Sequence, residues 1–184
     1  GVAYTATEAI VSIAEGEDVP VDMKEHIFGV LNREFLSTDY FGYGDFGYDL
    51  FSAFEDLAAM LNKEETFVEC IDKMLKRLTG RYDNYQRDFL NNRKISFYES
   101  QGKMDKVEDL VQQNLDIVYV RQGEVEKAIG GKKFAKAKQL IADGIKIAET
   151  NKQPGTVSSW EEHLLQIAIL ENDLKLQRLY YKKF

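Results

Sequence analysis

Three side chains in this sequence have the chemistry of a soft metal ligand: Cys70, His26 and His163. Three are too few for a four-ligand structural zinc site, and Glu161-Glu162-His163 lacks the second histidine of a zinc-protease helix. Cys70 falls on an apolar stripe with Ile71 and Met74, so it reads as a buried, inert thiol. A reactive cysteine needs an exposed, electropositive setting instead. Gly42-x-Gly44-x-x-Gly47 copies the glycine spacing of a dinucleotide loop, but such a loop works only between a strand and a helix, and no strand precedes it. These patterns lead us to expect no catalytic residue, no metal site and no cofactor.

The segment from Tyr40 to Tyr48 is chemically richer, with five aromatics and three glycines. Aromatic rings on a loop bring large contact area at low rotamer cost, which makes Tyr43 and Phe46 candidate partner contacts. The competing reading has the rings docking onto the first hairpin and closing its open end. That reading is favoured, because free rings would expose a costly apolar patch.

The elements that must carry these groups are helices. One pattern occurs three times: Gly102-Lys103-Met104 with Val107, Val111 and Asn114; Lys132-Lys133-Phe134 with Ala137, Ile141 and Gly144; Asn172-Asp173-Leu174 with Gln177, Tyr181 and Phe184. Each copy has a polar or glycine turn, then a bulky apolar residue, then positions three, seven and ten further on. The copies start 30 and 40 residues apart, a spread that fits paired-helix repeats of the tetratricopeptide kind. Ala137 and Gly144 then mark a close crossing of helices, with Phe134, Leu140, Ile141, Ile145 and Ala148 filling the groove between neighbours.

Upstream, Thr5-x-x-Glu8 reads as a capping box for a helix that stops at Gly16. Pro20 opens a helix carrying Ile27, Val30, Leu31, Phe35 and Leu36, and a further helix is predicted from Asp45 to Leu61. Asn62-x-x-Glu65 is read as the cap of a helix ended by Gly80, and Ser158-x-x-Glu161 as the cap of the last hairpin. Tyr85 to Gln101 and Ile117 to Ile129 supply first helices of two hairpins. The expected fold is all-α, with antiparallel helical hairpins stacked as a tetratricopeptide-like right-handed superhelix. An N-terminal segment 1–45, ending in the aromatic loop, would pack on an array 46–184 with hairpins at about 46–80, 81–116, 117–152 and 156–184.

Composition agrees with a packed helical domain. The 184 residues are 44% hydrophobic, and two prolines leave long stretches free to be helical. A single cysteine excludes an internal disulfide and fits a reducing cytoplasm. No membrane span or signal peptide is evident, and Gly1 in place of an initiator Met suggests a piece of a longer protein. Charge is lopsided: residues 1–92 hold 8 Lys/Arg against 18 Asp/Glu, and residues 93–184 hold 16 against 13. The acidic half repels polyanions.

From Gly131 onward, the run Gly131-Lys132-Lys133-Phe134-Ala135-Lys136-Ala137, the Pro154-Gly155 break, and Trp160-x-x-x-Leu164-Leu165-x-Ile167-Ala168 with Asn172-Asp173 resemble the C-terminal helical-repeat region of bacterial SWIM zinc-finger family proteins. Phe46-Gly47-Tyr48-Asp49-Leu50-Phe51-Ser52-Ala53-Phe54-Glu55-Asp56-Leu57 is similar to the segment that opens that region, so the likeness spans about 40–184. The Cys-x-Cys and Cys-x-His zinc module of the family is absent. The resemblance therefore implies a tetratricopeptide-like accessory domain and carries no ligand set.

The functional expectation is a non-catalytic interaction scaffold that binds a protein or peptide, preferably basic, on a concave groove. The repeat register assigns Asn92, Ser96, Glu99, Gln122, Glu126, Glu162 and Gln166 to that groove, with Tyr43 and Phe46 as loop contacts. The alternative is an accessory domain that supports nucleic-acid binding through the basic helices at Lys132–Lys138 and Lys175–Lys183.

Overall fold

The computed structural model describes residues 2–38, 40–43, 45–79 and 84–183. Among them are ten α-helices and no strand: α1 Val2–Glu15, α2 Val21–Ser37, α3 Phe46–Met60, α4 Glu64–Arg77, α5 Asn84–Ser100, α6 Met104–Gln113, α7 Val118–Gly130, α8 Phe134–Thr150, α9 Pro154–Leu170 and α10 Leu174–Tyr181. A single 3-10 turn, Phe41–Tyr43, lies between α2 and α3. The expected end of α4 at Gly80 lies outside the described residues, as does Phe184 in the third repeat copy.

One turn design joins five of these helix pairs. Its central residue is left-handed: Asn62 (φ 54°), Gly102 (φ 69°), Lys132 (φ 56°), Lys152 (φ 56°) and Asn172 (φ 56°). The next residue's N–H reaches back five positions, from Lys63 to Ala58 O (2.8 Å), Lys103 to Tyr98 O (3.0 Å), Lys133 to Ala128 O (2.8 Å), Gln153 to Ala148 O (2.9 Å) and Asp173 to Ala168 O (2.9 Å). This is the Schellman arrangement, which satisfies the last carbonyls of one helix while turning the chain into the next. The accepting residue is buried in every case and is alanine in four of five, so the neighbouring helix can come close.

The three expected capping boxes are corrected. Thr5 lies inside α1, which begins at Val2, and Ser158 lies inside α9, which begins at Pro154. Pro154 takes the first helical position because its φ is already helical and its missing N–H is not needed there. Asn62 is the left-handed residue of a turn instead of a cap. A Ser/Thr-x-x-Glu spacing also places two polar residues on one face inside a helix, which is why the pattern misleads. Asp173 is a working side-chain cap, accepting from the N–H groups of Lys175 (3.1 Å) and Leu176 (3.0 Å).

The chain divides into two compact units, Gly1–Val107 and Glu108–Phe184. The first has an aromatic core. Phe28 stacks on Phe54, Phe35 meets Phe51, and Phe67 touches Phe51, Phe54 and Phe97, with centroids 4.7–5.6 Å apart. Leu31, Leu57, Ile71 and Leu90 fill the space around the rings. The aromatic loop joins this core. Phe41 packs on Phe35, Phe51 and Phe89, Tyr48 packs edge-on against Phe89, and the Tyr40 hydroxyl donates to Glu34 at 2.9 Å. Gly47 is required there, because a Cβ would stand 2.5 Å from the Tyr40 carbonyl oxygen.

The second unit has a mainly aliphatic core of Val125, Ala128, Ile129, Ala137, Ile141 and Ile167 around the single tryptophan, Trp160. Gly144 lies directly under that ring. A Cβ at Gly144 would come within 2.8 Å of Trp160 and 2.9 Å of the Arg121 side chain. Arg121 is itself buried, donates to the Leu140 carbonyl at 3.0 Å, and has its pKa pulled down by burial.

Candidate functional site

One concave feature of the first unit lies between α1 and α3. It encloses about 550 Å³ and is lined by Tyr4, Thr7, Glu8, Val11, Ser12 and Glu15 from α1 and by Phe46, Asp49, Ser52, Ala53 and Asp56 from α3. Thr7 and Ala53 are buried, whereas the four carboxylates stand exposed at the rims. Glu8 and Glu15 are seven residues apart on one helix and Asp49 and Asp56 seven apart on the other. Seven residues are two helical turns, about 10.5 Å, so each helix aligns its two acids along the groove. One end is aromatic: the Tyr4 and Phe46 rings meet edge-to-face at 6.2 Å.

No Lys or Arg among the described residues is ion-paired to these four acids. Several cations of the first unit are ion-paired elsewhere: Lys63 with Glu25, Arg93 with Glu55, Lys94 with Asp72, and both Lys103 and Lys106 with Glu64. The groove therefore holds uncompensated negative charge. Tyr4 registers it, since a hydrogen bond to Glu8, then the Glu8 charge, raise its phenol pKa above the ordinary value, with Asp49 adding to the effect.

The residues predicted to bind a partner are distributed differently. Asn92 and Ser96 are half-buried on α5 and Glu99 is exposed on the same helix. Gln122 is half-buried on α7 and donates to exposed Glu126 at 3.0 Å, while Glu162 and Gln166 are exposed on α9. The predicted line is thus split, three residues in the first unit and four in the second. Phe46 lines the acidic groove, and Tyr43 belongs to the 3-10 turn with its side chain outside the described residues.

The candidate reactive groups are accounted for structurally. Cys70 is buried, its thiol pushed up to about 12 by desolvation, with Met74 Sδ and the Asn32 carbonyl each 4.0 Å from the sulfur. His163 Nδ1 lies 2.9 Å from the Ser159 carbonyl and its ring packs near Trp160. Among the described residues no group of three or more His, Cys, Asp or Glu side chains could hold a metal ion, and no helix is long and apolar enough to cross a membrane. Of the basic helices, Lys136 pairs with Glu124, Lys138 with Glu171 and Lys183 with Glu161.

Sequence reasoning did not assign Tyr4, Glu8, Glu15, Asp49 or Asp56. A signal was present, an aromatic followed within four residues by the first of two acids seven apart, and it occurs in both helices. Nothing local says that the two helices face each other. Comparison with protein families, with characterised proteins and with solved structures finds no match.

Proposed function

We propose that this chain is a non-catalytic protein-interaction domain that takes up a basic, helical or extended segment of a partner. The observation that carries the reading is the groove between α1 and α3, with four carboxylates lacking basic partners and an aromatic pair at one end. A cationic side chain entering it meets acids on both rims, and its alkyl stem meets Val11, Ala53 and the rings. Each rim pair contributes only about 0.2–1 kcal/mol, so affinity comes from several pairs together with apolar contact. The tetratricopeptide-like stacking and the accessory role implied by the SWIM-family resemblance belong to the same proposal. The protonated, buried Cys70 thiol also favours a binding role over nucleophilic chemistry.

The test is fluorescence anisotropy with a labelled Lys/Arg-rich peptide and an Asp/Glu-rich control. We expect binding of the basic peptide alone, falling as salt rises, and weakened about tenfold or more by Glu8→Lys with Asp56→Lys. Unchanged affinity in that variant would remove the groove from consideration. If Glu126→Lys with Glu162→Lys were the pair that weakened binding, the partner would sit on the polar line of the second unit. A gel shift showing tight DNA or RNA binding near physiological salt, lost on charge reversal of Lys133, Lys136 and Lys182, would transfer the function to the nucleic-acid reading.

A further inference from the structure

The last helix, α10, carries the complement of the groove. At 100° per residue, Lys175, Arg178 and Lys182 fall within an arc of about 60°, with Leu179 on one side of that stripe and Leu174 and Tyr181 on the other. Leu176, Gln177 and Tyr180 are the half-buried residues of the helix, and none of its residues is fully buried. Leu174, Leu179 and Tyr181 are 65%, 61% and 62% exposed, an unusual amount of apolar surface on an eight-residue helix. Lys183 is paired with Glu161, but among the described residues Lys175, Arg178 and Lys182 have no ion-pair partner.

The two surfaces match in sign, spacing and apolar content. Lys175 and Lys182 are seven residues apart, as are Glu8 and Glu15 on one rim of the groove and Asp49 and Asp56 on the other. A helix laid along the groove would set its two lysines opposite acids at the same pitch of about 10.5 Å. Arg178 would fall between them, and the flanking Leu174, Leu179 and Tyr181 would reach the groove's apolar parts, including the Tyr4–Phe46 pair. Covering one apolar, cationic surface with one acidic, partly aromatic surface removes both liabilities at once.

We infer that α10 of a second copy of this chain occupies the α1/α3 groove, so that the protein associates head to tail. This rests on reading the groove as a site for basic segments and names the segment. The contact is heterologous, joining different surfaces of the two copies, so each added copy leaves one groove and one α10 free. Association beyond the dimer is therefore possible, as an open chain or a closed ring, and grows with concentration.

Sedimentation velocity on the full chain over a range of concentrations tests it. In about 50 mM salt the weight-average mass should rise with concentration, and it should fall back toward the monomer at about 0.5 M salt, where screening shortens the reach of the charges. Glu8→Lys with Glu15→Lys, and separately Lys175→Glu with Lys182→Glu, should each give a monomer. Mixing those two variants leaves one intact groove and one intact α10, so the mixture should associate where each variant alone does not. Circular dichroism of each variant checks that the helices are retained. A wild-type chain that stays monomeric, or oligomers indifferent to both pairs of reversals, would overturn the inference. If the wild type is monomeric yet binds the labelled basic peptide in a Glu8-dependent way, self-association fails while the groove reading stands. If neither occurs, both fail.

Discussion

The two units solve the same packing problem with different material. In the first, helices are held by large rings in mutual contact, Phe28, Phe35, Phe51, Phe54, Phe67 and Phe97, and a loop contributes Phe41 to the same cluster. In the second, small residues let helices approach, with Ala128, Ala137, Gly144 and Ala148 at crossings and one ring, Trp160, seated on a glycine. Charge follows the same division, with 12 Lys/Arg against 20 Asp/Glu in the first unit and 12 against 11 in the second. The acidic groove lies in the ring-rich unit, but between α1 and α3 it is lined mainly by small side chains, Thr7, Ser12, Ser52 and Ala53, with the rings of Tyr4 and Phe46 at one end.

Truncating a central ring should break that contrast most severely. Phe67→Ala removes a side chain that touches three other rings and should cost about 3–5 kcal/mol. Trp160 is the only tryptophan and reports on the second unit alone, so urea unfolding can be followed both by its fluorescence and by circular dichroism. The dichroism transition should shift to lower urea by much more than the fluorescence transition. Equal shifts would show that the units unfold as one.

Overpacking the second unit is the converse experiment. Gly144→Val forces atoms against the Trp160 ring and the Arg121 side chain and should destabilise by about 2–3 kcal/mol, seen first in Trp160 fluorescence. Ala137→Leu, at a fully buried crossing, should cost about 1–3 kcal/mol by the same mechanism. A neutral result at either site would mean that the crossings are looser than the distances indicate.

Smaller effects sharpen the comparison at the turns. Lys132 and Lys152 adopt left-handed backbone that disfavours any side chain with a Cβ. Lys132→Gly and Lys152→Gly should each raise the midpoint of thermal unfolding, by the equivalent of about 0.5–1 kcal/mol, because relief of the left-handed cost exceeds the added flexibility of the unfolded chain. Gly102→Ala should have the opposite sign for the same reason.

The smallest effect is electrostatic. Glu64 has its pKa held below the usual carboxylate value, first by the hydrogen bond from Lys103 and then by that from Lys106. A depressed folded-state pKa adds stability above the unfolded value and loses it as pH falls through the folded one. The first unit should thus weaken as pH drops below about 4.3, and Glu64→Gln should flatten that acid slope while costing under about 1 kcal/mol at neutral pH. A slope unchanged in Glu64→Gln would assign the acid sensitivity to other carboxylates.

Local signals in the sequence determined the helices and their connections. Apolar stripes at helical spacing set the element types, and the polar or glycine turns at 102, 132 and 172 are left-handed in the structure, because a turn of this kind depends only on a few adjacent residues. The carbonyl acceptors Ala58, Ala128, Ala148 and Ala168, four residues before each left-handed position, belong to the same local grammar. Tertiary structure alone decided which helix faces which. It turned Phe41 and Tyr48 inward while leaving Phe46 at a groove, and it brought Glu8 and Glu15 opposite Asp49 and Asp56 across some forty residues of chain. Two acids seven apart look the same on a solvated helix as on the rim of a site. The difference is made by the second helix laid alongside, whose position comes from the summed burial of many distant apolar groups, a non-directional force that no short stretch of sequence encodes.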